Sequence, residues 1–388
     1  MLKRRQVFVI FNIMDVMLVI HYARQIEINN YTLFPKTDPT SLFDAFRSNH
    51  ATEILVASVS YFRVFDHLID GPVAFDDLRM RIGLEERPAN VLFSALRAMG
   101  ILFREHDNRI SLTPMSREHL TSGDQFEISD YFDVLGSQNH GVLEMVERFR
   151  TNRPAGADVE GKGAAFIFHD GIESAMESEV AARRLTLALA GRARNVAPHF
   201  ALNLPIENVT QLIDVGGGTG IYSIARLQRY KNLQSTIIDR PEVLKIAAEL
   251  AQSSGVADRL HLVAGDMFDA EFLSTVIGEH PAELILLSNV LHDWDIPECK
   301  KLIKLCEDIL PINGRLVIHD VFLNDDLGGP LPLTLYSATL FSLTEGRVYS
   351  ANEYRQMITN VTTSLTPDTV VIPTLIHCGI LQATKISH

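Results

Sequence analysis

Apolar residues recur at helical spacing through the first half of the chain and in short unbroken runs through the second. Ile54, Leu55, Val59, Phe62, Phe65 and Leu68 mark one face of a helix, which Gly71-Pro72 ends. Phe75, Leu78, Ile82 and Leu84 predict a short second helix. Arg87–Met99 predicts a third. Pro88 falls in its first turn, Val91, Leu92, Leu96 and Met99 share a face, and Gly100 stands at the C-terminal cap. Ile101–Glu105 and Arg109–Leu112 flank the turn His106-Asp107-Asn108 and read as a β-hairpin. Helices followed by a hairpin make a winged helix-turn-helix, placed over residues 40–139. Helical patterns continue in Val142–Arg150 and Glu177–Phe200. They are read as linking helices over 140–200.

From Gln211 the period changes. Continuous apolar runs appear at Gln211–Val215, Ser235–Asp239, Leu260–Val263, Leu284–Leu287 and Arg315–Ile318. Helical stretches separate them, such as Ile221–Arg229, Val243–Gln252 and Glu298–Ile309. This alternation predicts an α/β unit over 201–388, with a mainly parallel sheet covered on both faces. Val370–Ile372 and Gly379–Thr384 read as a closing strand pair. Ligands of such sheets bind beyond the carboxyl ends of the strands, so the residues following each strand carry the functional search.

Composition narrows the classes. With 46 % hydrophobic and 21 % charged residues, the chain is an ordinary globular one and not a disordered or low-complexity one. A net charge of −13 opposes general affinity for nucleic acid. The third helix carries only Arg87 and Arg97 as cations, so the winged module is expected to bury its helices against a second subunit rather than read DNA. Three cysteines, Cys299, Cys306 and Cys378, without a CxxC spacing, make a disulfide framework untenable and point to a reducing, cytoplasmic setting.

Residues 1–39 form an N-terminal extension. Lys3, Arg4 and Arg5 precede the apolar run Val7–Ile20, which Asn12 and Asp15 interrupt. The run is too short for a membrane span of about 20 residues, and no small-residue cleavage site follows it. Three readings stay open: a helix packed on a partner subunit, a poorly ordered extension or a start codon called too early, and a signal or anchor. No membrane association is expected elsewhere.

Asp214-Val215-Gly216-Gly217-Gly218-Thr219-Gly220 follows the first strand and precedes a helix. Such glycines allow a tight turn and close approach of a ligand to the backbone. The spacing is not the G-x-G-x-x-G of dinucleotide folds, which argues against a nicotinamide oxidoreductase. The second strand ends at Asp239, a carboxylate suited to two ribose hydroxyls. After the third strand, Asp266 suits an adenine amine and Met267 the ring face. Each feature alone is a common cap or turn; their recurrence after successive strands is not.

Leu212–Gly220, Asp239, Gly265–Phe268, Leu291-His292-Asp293-Trp294 and the stretch Asp326–Gly346 resemble the S-adenosylmethionine-dependent small-molecule O-methyltransferases. The resemblance spans about residues 40–360. It implies a Rossmann-like class I methyltransferase sheet, an N-terminal mainly α winged-helix dimerisation domain, S-adenosyl-L-methionine as cofactor, and a homodimer acting on a small aromatic or polyketide-like molecule. Asp214, Gly216, Gly218, Asp239, Asp266 and Met267 are then the expected cofactor residues. Ser288 joins them, although it stands where plant members have a cofactor-contacting lysine.

His292, in the family's His-Asp-Trp motif, is implied to be the general base that takes the acceptor's proton. A phenol with a pKa near 10 is mostly protonated at neutral pH, so a positioned imidazole raises its nucleophilicity. The resemblance gives Asp320 as a carboxylate partner of the base. At the position of the usual second carboxylate this chain has Val348, so either Glu345, close in sequence, substitutes or Asp320 serves alone. Asp293, Leu189, Tyr336 and Phe341 are the expected acceptor-lining residues. No metal-ligand spacing stands out. The valine keeps open C- or N-methylation, decarboxylation or hydroxylation on the same fold, and the winged helix keeps open a non-catalytic binding protein.

Overall fold

A computed structural model of the chain describes residues 29–154, 179–206 and 209–387. The apolar run at 7–20 lies outside the described residues. The first helices are α1 (Thr40–Arg47) and α2 (Ala51–Val56). The single helix expected over 54–68 is instead broken. A wide turn at Ala57–Tyr61 follows α2, where the Phe62 amide bonds to Ala57, and Arg63 adopts φ +48°. Then come β1 (Val73–Ala74), α3 (Phe75–Arg81), α4 (Glu86–Ala98), β2 (Leu102–Arg104) and β3 (Arg109–Leu112). The three short strands pair in the order β1-β3-β2, completing the winged module. Its α4 is buried along most of its length, so this helix has no face free to enter a DNA groove.

Next are α5 (Pro114–His119), α6 (Ser129–Gly136), α7 (His140–Thr151) and the long α8 (Glu179–Asn203). The second unit alternates β4 (Gln211–Val215), α9 (Ile221–Arg229), β5 (Gln234–Asp239), α10 (Pro241–Ser253), β6 (Leu260–Ala264), α11 (Ala270–Glu279), β7 (Leu284–Ser288), α12 (Ile296–Ile309) and β8 (Arg315–Val321). It ends with α13 (Leu331–Leu343), α14 (Ala351–Val361), β9 (Leu365–Pro367), β10 (Ile372–Pro373) and β11 (Cys378–Lys385). The sheet order is β10-β11-β8-β7-β4-β5-β6, with β9 added on β11. β4 to β8 are parallel and β11 is antiparallel to β8. Strand order reverses between β4 and β7, which opens a crevice at their carboxyl ends.

Both sheet faces are dry. Leu212, Ile237, Leu284 and Leu286 pack with α8, α9 and α10 on one face. Ile213, Ile238, Ile285 and Leu287 pack with α11, α12 and α14 on the other. Alternate strand residues thus serve opposite faces, as the unbroken apolar runs require. The expected division at 140–200 is only part of the junction. Helix α13 sends Leu335, Ala338 and Phe341 into the core of the N-terminal unit and Leu333 and Leu340 into the sheet-side core. A segment late in the sequence therefore joins the two units.

Candidate active site

The glycine turn after β4 is fixed by backbone conformation. Gly216, Gly218 and Gly220 have φ of +68°, +58° and +70°, a region costly for residues with a Cβ. A Cβ at Gly217 meets the Asp214 carboxyl carbon at 2.7 Å, and one at Gly220 meets Ile237 Cδ1 at 2.6 Å. A Cβ at Gly218 meets nothing within 4 Å, so this glycine faces open space in the crevice. Asp239, at the end of the neighbouring β5, accepts the Gly218 amide at 2.8 Å and the Arg240 amide at 2.7 Å. Burial raises its carboxyl above the usual range, although those amides pull the other way. Met267 reaches the same place: its sulfur lies 3.9 Å from the Cβ position of Gly216.

Two expected cofactor contacts are placed differently. Asp214 is fully buried beneath the turn, where the Ser223 hydroxyl donates to Oδ2 at 2.7 Å. Burial pushes its carboxyl up to about 7. It shapes the turn from below and has no surface for a ligand. The Ser288 hydroxyl is 2.9 Å from His319 Nδ1 and accepts the Asn289 amide at 3.1 Å, so it belongs to an internal network. Asp266 is exposed and accepts the Phe268 amide at 2.9 Å, a local turn bond that leaves its second oxygen toward solvent.

His292 follows β7 in a short helical turn and is 4 % exposed. Its Nδ1 is 2.5 Å from Asp320 Oδ1, from the end of the adjacent β8. The same carboxylate accepts the Val321 amide at 2.8 Å and the Tyr354 hydroxyl at 3.2 Å. A carboxylate with two other donors is acceptor-only, so the shared hydrogen sits on Nδ1 and Nε2 keeps its lone pair. Burial raises the Asp320 carboxyl, but His292, the Val321 amide and the charge of Arg192 outweigh it and hold it below its ordinary value. Burial lowers the His292 pKa; Asp320 and then Asp293 outweigh that and leave it raised. Asp293 Oδ1 lies 3.7 Å from Nε2. Burial pushes the Asp293 carboxyl up to about 6 against the pull of His292.

Glu345 is not beside the imidazole. Gly346 packs against the backbone of His292 to Trp294, so this segment runs behind the base, and Glu345 acts on the Arg87 guanidinium instead. The second carboxylate near His292 is Asp293, and Val348 is a fully buried core residue. Tyr336 stands edge-on to His292, with ring centroids 6.2 Å apart. Phe341 does not line the crevice: it is fully buried, stacked on Phe149 at 5.3 Å with Arg87 over its other side. Leu189 is 55 % exposed, because the phase of α8 turns it outward. Trp294 is a packing anchor, edge-on to Phe268 at 4.8 Å.

Sequence reasoning missed four residues here. Tyr354 holds Asp320 from α14. Arg192, from α8, donates to Asn289 Oδ1 at 2.7 Å and reaches the Tyr336 hydroxyl at 3.4 Å. Arg47, from α1, lies over the Tyr336 ring at 4.7 Å. Only Asn289, three residues before the His-Asp-Trp motif, had a local signal.

The residues of the crevice fit an adenosyl group. An unobstructed glycine, a carboxylate at the tip of the next strand and a thioether over the turn converge at the reversal of strand order.

A family model described as an O-methyltransferase domain matches residues 162–362. The 3-hydroxy-5-methyl-1-naphthoate 3-O-methyltransferase of Streptomyces sahachiroi is 29 % identical over 321 residues, which are 81 % of this chain and 87 % of that one. An O-methyltransferase family 2 protein from Planctomyces limnophilus DSM 3776, solved in complex with apigenin, is 43 % identical with a TM-score of 0.80. That likeness covers 92 % of this chain and 99 % of the other. Human N-acetylserotonin methyltransferase, solved in complex with SAM, shares the fold at a TM-score of 0.53 and 19 % identity, over 92 % of this chain and 100 % of that one. The chain belongs to the O-methyltransferase domain family, whose methyl donor is S-adenosyl-L-methionine.

Proposed function

We propose that the chain methylates a hydroxyl of a small aromatic molecule, with His292 as the general base. The observation that carries this reading is the His292–Asp320 pair at the switch in strand order, beside the open glycine turn. Gly216, Gly218, Asp239, Met267 and the outward oxygen of Asp266 hold the donor. When bound, S-adenosylmethionine supplies an electrophilic methyl group whose leaving group is a neutral thioether.

The chain's own work is then to align the acceptor oxygen and take its proton. Asp320 keeps Nδ1 protonated and aims Nε2 outward. Nε2 accepts the hydroxyl proton as the new bond forms, and Asp320 stabilises the resulting imidazolium. Asp293, near Nε2, orients the hydroxyl. Tyr336, edge-on to the imidazole, covers the base on one side and favours a flat acceptor. The relatives named above act on a hydroxynaphthoate or bind a flavone, both flat phenols, which supports this class of acceptor. The apolar surface of α6 and the preceding loop, with Phe126, Tyr131, Val134 and Leu135 exposed, supports a homodimer. Buried α4 argues against a DNA-reading regulator. No helix among the described residues is long and apolar enough to cross a membrane. The three buried free thiols suit a cytoplasmic enzyme.

The test is incubation with methyl-labelled S-adenosylmethionine and a panel of hydroxynaphthoates, naphthols and flavones. Mass spectrometry is expected to find one added methyl on oxygen. A methyl on carbon or nitrogen, or an unmethylated product of altered oxidation state, contradicts the reading.

A further inference from the structure

Two guanidinium groups meet around one aromatic ring beside the proposed base, and among the described residues neither is hydrogen-bonded to a carboxylate. Arg47 is 3 % exposed. Its Nη1 reaches only the Ile376 carbonyl, at 3.4 Å, and its Nη2 is buried without a hydrogen-bond partner. Its Cζ lies 4.7 Å over the Tyr336 ring, while Arg192 Nη1 is 3.4 Å from the hydroxyl of the same tyrosine. Burial lowers the Arg47 pKa and the charge of Arg192 lowers it further, whereas Arg192 is held charged against its own burial by Tyr336, Cys378, Tyr222 and Asp320.

The nearby carboxylates are committed elsewhere. Asp44 is 2.9 Å from His377 Nε2. Asp320 is occupied by His292, Val321 and Tyr354. A buried cation without a counter-ion is costly, and a second one close by adds repulsion. An anion placed between them removes both penalties, and the guanidinium fork matches a carboxylate in particular. Tyr336, Asn289 and Arg192 all keep part of their surface open, so an anion reaches the pair from that side, with Arg47 deeper.

We infer that Arg47 and Arg192 clamp a carboxylate at Tyr336, beside the His292 imidazole. The inference rests on the methyl-transfer reading of the site. Two ligands bring a carboxylate there: an acidic acceptor, or the aminoacyl end of the donor.

Calorimetry on the full-length protein separates them. One pair of probes is a hydroxynaphthoate and the corresponding naphthol, titrated into protein saturated with S-adenosylhomocysteine. The other is S-adenosylhomocysteine and its decarboxylated analogue, titrated into free protein. In one pair the carboxylate-bearing member is expected to bind at least about 10-fold tighter, the scale of a charge-assisted hydrogen bond. Arg47→Gln is expected to erase that advantage without weakening the carboxylate-free member, and Arg47→Lys to keep part of it. Arg192→Gln serves for the same comparison if Arg47→Gln does not fold. An advantage in the first pair assigns the clamp to the acceptor, and one in the second assigns it to the donor. Equal binding within both pairs by the unaltered protein overturns the inference, as does a folded Arg47→Gln variant that keeps the full advantage. Absence of any S-adenosylhomocysteine binding is a separate result, which removes the methyl-transfer reading itself.

Discussion

His292 and His319 show how neighbours divide the work of two buried imidazoles. His292 touches one carboxylate and lies near a second, and its pKa is raised. His319, on the opposite face of β8 from Asp320, bonds to the Ser288 hydroxyl and lies 3.2 Å from the Thr374 hydroxyl, and burial drives its pKa down to about 3. Activity is therefore expected to rise with pH through an apparent pKa above the ordinary histidine value of about 6.5, as His292 becomes neutral. Asp320→Asn is expected to shift that limb to lower pH and to slow the reaction about 10- to 100-fold. An unshifted limb in kcat/KM against pH assigns it to another group. For His319 the sign is opposite. The unfolded chain takes up its proton near pH 6.5, while the folded chain resists until about 3. Its contribution to stability is complete above 6.5 and is lost as pH falls through that window. His319→Asn is expected to flatten the fall in urea-unfolding stability between pH 6.5 and 4; an unchanged slope contradicts the assignment.

At the scale of elements, the glycine turn separates fold from binding. Gly217→Ala drives a methyl into Asp214 and Ile237, so it is expected to destabilise the protein by about 1–3 kcal/mol, measured by urea unfolding. Gly218→Ala meets no protein atom, and its cost to the fold is about 1–2 kcal/mol from the left-handed backbone alone. Its larger effect is expected in calorimetry, as at least about a 10-fold loss of S-adenosylhomocysteine affinity, one tenfold step being about 1.4 kcal/mol. Intact affinity places the ligand elsewhere. The same elements show what the sequence made legible. Strands β4 to β8 announced themselves because burial on two faces demands unbroken apolar runs, and β4 to β7 are followed by the expected site residues. Local pattern did not reveal that Glu345 runs behind the base, that Phe341 belongs to the N-terminal core or that Leu189 faces outward. Those outcomes depend on how α13 and α8 cross between units. Nor did it reveal Tyr354, Arg192 or Arg47, each of which comes from a helix far along the chain from the His-Asp-Trp motif.

At the scale of the whole molecule, the exposed apolar side chains of α6, and separately Leu42 and Phe46 of α1, exposed at 73 % and 76 %, are surface out of place on an isolated protein. Light scattering is expected to report a mass near twice 43.3 kDa, and Val134→Asp with Leu135→Glu to return the monomer. A monomeric unaltered protein at micromolar concentration removes the dimer. Helix α13 ties the two units through both cores, so Phe341→Ala is expected to destabilise by about 3–5 kcal/mol while sparing acceptor preference. The most direct measurement for the molecule as a whole is single-turnover methyl transfer by His292→Ala, paired with its affinity for S-adenosylhomocysteine. The rate is predicted to fall at least about 100-fold, with affinity nearly unchanged. A rate within a few fold of the unaltered protein contradicts the assignment of the base, and affinity lost together with the rate contradicts the separation of base from donor site.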